Sequence, residues 1–367
     1  MFTAQDHALM AHALKLAELG LFTTTPNPRV GCVIAKNGSI IGQGAHLKAG
    51  EPHAEVHALR EAGASARGAT AYVTLEPCSH HGRTPPCVDA LVKAGVSRVV
   101  AAMQDPNPLV SGQGMALLRE HGIETQVGLM QPQSEELNKG FISRMAQGMP
   151  FVRSKIACSL DGKTALNNGQ SKWITGEAAR QDVQHWRAQS CAILTGIGTV
   201  LADNPRMTVR SVDIDRQPLR VIVDSCLQLP LDAEILKGGH ILVSYAQGDA
   251  DRAAKLSAMG VEVICLPQED GKVCLKSLLR HLARVEINEV MVEAGAGLNG
   301  SLLHQHLIDE LLIYQAPVLL GHQAQGMFDF PVLSDMQNKL QLQMLEMRQV
   351  GTDTRIRAKP TYVNEAC

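Results

Sequence analysis

Gly50-Glu51-Pro52-His53-Ala54-Glu55, resumed at Thr74-Leu75-Glu76-Pro77-Cys78-Ser79-His80-His81-Gly82-Arg83-Thr84-Pro85-Pro86-Cys87, decides the reading of the first half of this chain. Zinc accepts neutral imidazole and thiolate in a tetrahedron, and a catalytic zinc keeps its fourth position for water. His53, Cys78 and Cys87 supply three ligands, and Glu55 stays free to move protons. Hydrolytic deaminases carry H-x-E followed by P-C-x-x-C. This chain matches that pattern as far as Pro77-Cys78 and then departs, with eight residues between the cysteines.

Pro52 fits the first turn of a helix, which puts His53 and Glu55 at a helix N-terminus. Cys78 follows an apolar strand at 71–75, and Cys87 precedes an apolar helical run ending at Gly95. Thiolates near a helix N-terminus are favoured by its positive end. His57, four residues after His53, shares one helical face with it and rivals it as a ligand. Two blander readings stand beside the catalytic one. One histidine and two cysteines can be unrelated core residues, and zinc can be a structural clip. Three ligands plus a free carboxylate favour catalysis over the clip.

Working outward, residues 3–20 carry apolar positions at helical spacing, and strands at 30–35 and 39–42 flank Lys36-Asn37-Gly38, a tight hairpin turn. A strand at 98–103, a helix at 114–121 and a short strand ending at Val127 continue the alternation. Hairpin first, then strand and helix in turn, reads as a layered α/β domain with a mainly parallel later sheet. A helix at 133–147 leads to Gly148-Met149-Pro150, which divides a first domain (1–148) from a second (149–367). The second alternates again: strands at 151–158, 192–195, 219–224, 241–244, 262–266 and 289–293, helices at 177–188 and 251–259, and a helix through Leu303.

Composition narrows the function classes. A net charge of −2 and 3% aromatic residues give no electrostatic or stacking case for nucleic acid, and 45% hydrophobic with 19% charged residues describes a globular protein. No apolar stretch is long enough for a membrane span, and no secretory signal is evident. Nine cysteines without that signal argue for free thiols or metal ligands rather than a disulfide framework. A cytoplasmic enzyme is expected.

In the second half, the strand at 289–293 runs into Gly295-Ala296-Gly297-Leu298-Asn299-Gly300-Ser301 and then an apolar helix. Strand, G-x-G-x-x-G and helix can bind phosphate through backbone amides. The turn sits late in its domain, without the acidic residue that a Rossmann unit places about 20 positions on. Phosphate binding is plausible, and a Rossmann fold is not.

From His46 through Cys87 these motifs resemble the deaminase domain of the bifunctional riboflavin-biosynthesis deaminase/reductase family, whose cysteines have the same long spacer. The resemblance spans essentially the whole chain. It implies an N-terminal cytidine-deaminase-like zinc domain followed by a dihydrofolate-reductase-like domain, α/β throughout. By that resemblance zinc sits on His53, Cys78 and Cys87, Glu55 is the proton shuttle, and Asn27, His46 and Arg83 handle substrate. The second half resembles the family at 154–163, 171–176, 199–205 and the glycine turn. The resemblance implies that Ala157, Trp173, Thr199, Asp203, Ser225 and Gly295 through Ser301 line an NADPH site. Ser171, Arg187, Met207, Arg210 and Glu293 would face the substrate, with Arg187 and Arg210 suited to its 5′-phosphate. Lys155 and Asp203 are the nearest proton-handling groups. A phosphorylated pyrimidine substrate and a homodimer, through the reductase domains, are further expectations. A deaminase of free nucleosides or tRNA, and a non-catalytic zinc- and nucleotide-binding regulator, remain open as alternatives.

Overall fold

The structure is a computed structural model and describes residues 1–79, 85–108 and 110–362. It divides into two compact units, Met1–Met149 and Pro150–Cys367.

The first unit holds strands β1 (Gly31–Lys36), β2 (Ser39–Ala45), β3 (Thr70–Val73), β4 (Arg98–Ala101) and β5 (Glu124–Val127). Its helices are α1 (Ala4–Ala17), α2 (Ala54–Ala62), α3 (Cys87–Ala94), α4 (Gln113–Glu120) and α5 (Gln131–Gln147). The sheet order is β2-β1-β3-β4-β5. β1 pairs antiparallel with β2 and β3, whereas β3, β4 and β5 run parallel. Asn37 and Gly38 both take positive φ, as the two central residues of a type I′ hairpin turn require.

Alternation along the strands separates two cores. Cys32, Ile34, Ala71, Val73, Val99 and Ala101 face a cluster with α2, α3 and α4. Val33, Ala35, Tyr72, Val100 and Ala102 face one with α1. The helices lie close because the strands carry glycine where they cross. A Cβ at Gly31 would sit 1.9 Å from the Ala13 carbonyl oxygen, and one at Gly42 would sit 2.2 Å from that of Ala58. The Ala54, Ala58 and Ala62 face of α2 thus rests almost directly on β2.

In the second unit the strands are β6 (Phe151–Ser159), β7 (Lys163–Ala165), β8 (Ala192–Gly196), β9 (Leu219–Val223), β10 (Ile241–Tyr245), β11 (Glu262–Cys265) and β12 (Glu289–Val292). β13 (Glu310–Ala316), β14 (Gln325–Gly326), β15 (Gln341–Val350) and β16 (Asp353–Thr361) follow. Helices are α6 (Glu177–Gln189), α7 (Ile197–Asp203), α8 (Ala250–Ala258), α9 (Leu275–Arg284) and α10 (Ala296–His304). The large sheet has the order β11-β10-β9-β8-β12-β6-β13-β16-β15. From β11 to β13 all neighbours are parallel, and β16 and β15 close the edge antiparallel.

Four strands share one set of C-terminal ends: β9, β8, β12 and β6. In open α/β sheets ligands bind outside those ends. Behind them, Arg153 lies fully buried against the Trp186 ring and donates to Glu310 at 2.8 Å. Arg355 and Arg357 also approach that ring, paired with Asp182 and Glu310. This ionic layer seats the antiparallel edge on the parallel sheet. The antiparallel edge itself, and α9, α7, β7, β13 and β14, were not among the elements expected from sequence.

Candidate metal centre and cofactor site

The metal centre is assembled by two helix starts and one strand end. α2 begins at Ala54 with His53 as its N-cap, and Cys87 is the first residue of α3. Cys78 lies beyond β3. His53 Nδ1 is 3.2 Å from Cys87 Sγ and 3.5 Å from Cys78 Sγ, and all three donor atoms lie within 4.8 Å of one another. Bonds of about 2.1 Å to nitrogen and 2.3 Å to sulfur imply tetrahedral edges of about 3.5–3.8 Å. The donor set therefore fits zinc with little rearrangement.

The electrostatics agree with metal chemistry. A hydrogen bond from Cys87, opposed by burial and helped by His53, pulls the Cys78 thiol down to about 4. The same contact pushes Cys87 up, so the two sulfurs share one proton. A cation between them would release it. The Cys87 amide donates to Cys78 Sγ at 3.3 Å, adding the helix N-terminus to that stabilisation. Glu55 is 3% exposed in the first turn of α2, and burial, reinforced by the Cys78 charge, raises its carboxyl above the usual range.

His46, 2% exposed, stands edge-on to His53 with ring centroids 5.2 Å apart. Its Nδ1 is 3.2 Å from the Pro52 carbonyl oxygen, which can only accept, so Nδ1 carries the hydrogen. Nε2 then accepts from the Asn27 amide at 3.0 Å. Burial lowers the His46 pKa and so favours this neutral ring.

The structure thus brings Asn27, His46, His53, Glu55, Cys78 and Cys87 together. His57 is outside the three-donor group and packs instead against Gly44, where a Cβ would lie 2.5 Å from its own. Arg83, His80 and His81 lie outside the described residues.

In the second unit, Ala157 lies in β6, Thr199 follows β8 in α7, Ser225 follows β9, and Gly295 through Ser301 follow β12. All are at the C-terminal ends of those four adjacent strands. The glycine turn differs from its sequence reading. Gly295 is the N-cap of α10, and Ala296, Gly297, Leu298, Asn299, Gly300 and Ser301 are already helical.

Each of these positions has a distinct local role. Nothing lies within 4 Å of a Cβ built at Gly295 or Gly297, so both present bare backbone to open space. Gly300 is different: its Cβ would meet the Asp329 carbonyl oxygen at 2.1 Å. Asn299 is buried, accepts from Ser154 Oγ at 2.8 Å and donates to the Ala294 carbonyl at 2.8 Å, which fixes β6 to the helix start. Leu298 covers Gly196, the N-cap of α7. Trp173 is 72% exposed with Arg180 stacked at 4.7 Å, and its neighbour Lys172 pairs with Asp203 at 3.1 Å.

Arg187 is not a free phosphate clamp. Its guanidinium grips Glu293 through two bonds, 2.6 and 3.0 Å, and donates to the Thr208 carbonyl at 3.0 Å. Burial opposes the charge on Glu293, yet Arg187, Lys155 and Arg210 outweigh it and hold the carboxyl below its usual range. Lys155 is pushed down by burial, against the pull of Glu293. Met207 is buried beside Arg187, Arg210 is exposed, and Ser171 is half-buried two residues before Trp173.

Comparison with known proteins settles the family. Residues 3–103 match the cytidine and deoxycytidylate deaminase zinc-binding region, and residues 150–356 match the RibD C-terminal domain. The riboflavin biosynthesis protein RibD of Escherichia coli is 49% identical over 362 residues, 95% of this chain and 98% of that protein. That of Haemophilus influenzae is 48% identical over 376 residues, 99% of each. The chain belongs to the RibD family of riboflavin biosynthesis proteins.

Solved RibD structures agree. Acinetobacter baumannii RibD, form 1, matches with a TM-score of 0.91 at 48% identity, over 98% of this chain and 99% of that one. The Thermotoga maritima protein described as a diaminohydroxyphosphoribosylaminopyrimidine deaminase/5-amino-6-(5-phosphoribosylamino)uracil reductase matches with 0.86 at 33% identity, over 97% and 99%. As a RibD protein, this chain joins a cytidine-deaminase-like zinc domain to a dihydrofolate-reductase-like reductase domain, and it is a bifunctional deaminase/reductase of riboflavin biosynthesis.

Glu76, 5% exposed, accepts from four backbone amides: Asp105 (3.1 Å), Gly112 (2.9 Å), Gly114 (2.8 Å) and Met115 (3.3 Å). A buried carboxylate needs such partners. Sequence showed the carboxylate near the cysteines, but the donors lie 29 to 39 residues on.

Proposed function

We propose that His53, Cys78 and Cys87 hold the catalytic zinc and that Glu55 moves the protons of a hydrolytic deamination. The substrate is 2,5-diamino-6-(5-phosphoribosylamino)pyrimidin-4-one. The second unit then reduces the opened ribosyl group to a ribityl chain with NADPH. The observation that carries this reading is the convergence of three N/S donors within 4.8 Å beside a buried carboxyl in the first turn of the helix that His53 caps. When bound, zinc supplies Lewis acidity and NADPH supplies the hydride.

The chain's own groups account for the rest. Glu55 takes a proton from the attacking water and returns protons to the ring nitrogen and the departing amine. Its burial suits it to hold that proton between the two transfers. Asn27 and the neutral His46 form a fixed polar wall beside His53 for the pyrimidine, and Arg83 belongs with them by motif. Water adds to the carbon bearing the 2-amino group, and ammonia leaves.

In the second unit Ala157, Trp173, Thr199, Asp203, Ser225 and the start of α10 line the NADPH site, open where Gly295 and Gly297 leave room. Ser171, Met207, Arg210, Arg187 and Glu293 face the substrate. Three cations, Lys155, Arg187 and Arg210, surround one carboxylate, which leaves positive charge for a 5′-phosphate.

The protein is read as a cytoplasmic homodimer. Its eight described cysteines are all free, which suits a reducing compartment. Among the described residues no helix is long and apolar enough to cross a membrane. β15 is the sheet's outer strand, with Leu342, Met344, Leu345 and Met347 exposed, and an unpaired apolar edge favours a second copy.

The test is Glu55→Gln. The variant should keep one zinc per chain and lose ammonia release by at least about 100-fold, in line with a positioned proton-transfer group. Substantial residual turnover would remove Glu55 from the mechanism.

A further inference from the structure

We infer that Glu76 is a positioning residue for the metal-binding thiolate, transmitting the location of α4 and the segment before it to Cys78. The inference rests on the zinc-ligand reading above and extends it to a residue two positions away.

The cap of α4 comes from outside the helix. The first amides of an α-helix have no partners within it. They are usually satisfied by a side chain at the N-cap. The N-cap of α4 is Gly112, which has no side chain to offer. The Gly112, Gly114 and Met115 amides turn instead to Glu76, with the Asp105 amide as a fourth donor. Both oxygens are used twice over, so the carboxylate cannot rotate without losing bonds.

The link from Glu76 to Cys78 is stiff. The Glu76 amide donates to the Met103 carbonyl at 3.0 Å, which fixes the backbone on the β4 side. Two residues earlier, the Thr74 carbonyl accepts from Ser134 Oγ at 2.6 Å. Between Glu76 and Cys78 stands Pro77, whose ring fixes φ. The Pro77 carbonyl oxygen lies 2.1 Å from where a Cβ at Gly114 would be, so α4 touches this link directly. Cys78 itself is held by weaker contacts: its sulfur accepts from the Cys87 amide at 3.3 Å, and its carbonyl from Val88 at 3.2 Å. Among the described residues, the strongest constraints on the position of this sulfur therefore lie upstream, at Glu76 and Pro77.

A helix cap alone could be supplied by any N-cap side chain on α4. Supplying it from the metal-binding segment makes the same four bonds orient a metal ligand. Groups that orient metal ligands typically change metal affinity about 10- to 100-fold when lost.

The experiment uses the full-length protein in four forms: wild type, Glu76→Gln, Gly114→Ala and Cys78→Ser. Zinc affinity is measured by competition with a chromophoric chelator, and cobalt substitution reports the thiolate-to-metal charge-transfer band. Oxidation of NADPH on the already deaminated pyrimidine shows that the second unit is intact. Glu76→Gln keeps the shape but turns a donor group toward two amide donors. It should weaken zinc binding about 10- to 100-fold and shift the cobalt band, with NADPH oxidation unchanged. Gly114→Ala, which presses on the Pro77 carbonyl, should shift the same band.

Folded variants with wild-type zinc affinity and an unshifted band would reduce Glu76 to a helix cap and overturn the inference. Should Glu76→Gln not fold, Gly114→Ala decides by the same criterion. A wild-type cobalt band in Cys78→Ser would instead overturn the ligand assignment itself, which separates the two failures.

Discussion

Replacing Arg187 by methionine removes one side of a pair whose members are 12% and 10% exposed. The stem is replaced by a side chain of similar length, so packing is roughly kept and the loss is electrostatic. Removing one partner of a buried pair costs about 3–5 kcal/mol, because the other charge is left uncompensated. The orphaned Thr208 carbonyl costs about 1 kcal/mol more. Lys155 and Arg210 remain near Glu293 and recover part of this. We expect a net loss of about 3 kcal/mol, roughly 6–12 °C in melting temperature for a unit of this size. The assay is unusually selective, since the chain has two tryptophans, Trp173 and Trp186, and both lie in the second unit. Denaturant unfolding followed by tryptophan fluorescence therefore reads that unit. Arg187→Met/Glu293→Leu should regain part of the loss, because the carboxylate is no longer stranded and buried Lys155, already pushed towards its neutral form, can release its proton. A single variant losing less than about 1 kcal/mol, or a double variant no better than the single, would refute the reasoning.

Other perturbations follow from the same geometry. Gly300→Ala drives a methyl to 2.1 Å from the Asp329 carbonyl, and overpacking of this kind costs about 1–3 kcal/mol; NADPH oxidation should fall while ammonia release does not, as paired assays would show. In acid, burial works against ionised Asp6, but Arg98, Thr3 and Tyr72 hold its carboxyl well below the usual aspartate range. Asp182 is likewise held down by Tyr314 and Arg355 against burial. Both folded pKa values are depressed, so their stabilisation is complete above the unfolded value and is lost as pH falls below about 4 towards the folded ones. Urea midpoints should therefore decline across that window, and Asp6→Asn should flatten the decline; an unchanged slope would contradict the assignment.

What the sequence disclosed depended on how local each signal was. The clustering of His53, Cys78 and Cys87 was legible because they lie in two short, unusual motifs, and the fold only had to bring two helix starts to one strand end. The Asn37-Gly38 turn was legible because its chemistry is contained in two residues. Gly295 to Ser301 was legible as a glycine-rich segment after a strand but not as helix: its periodicity is hidden by three glycines, and Gly300 is explained by Asp329, 29 residues away. Arg187 carried no mark of its partner, because Glu293 meets it only once β12 and α6 are stacked. α9 was missed although Leu275, Leu278, Leu279 and Leu282 repeat at helical spacing and are all buried. The edge strand β15 gave only a broken signal: Gln341 to Met344 and Leu345 to Arg348 each alternate, but the two runs fall out of phase where the register shifts, and Leu342, Met344, Leu345 and Met347 stay exposed.

The most direct test takes zinc-replete wild-type protein and the diaminopyrimidinone ribosylamine phosphate and follows ammonia and NADPH in a single cuvette. Ammonia should be released before NADPH is present, and NADPH should be consumed once it is added. NADPH oxidation without prior ammonia release, or neither signal at all, would contradict a deaminase acting ahead of a reductase in this chain.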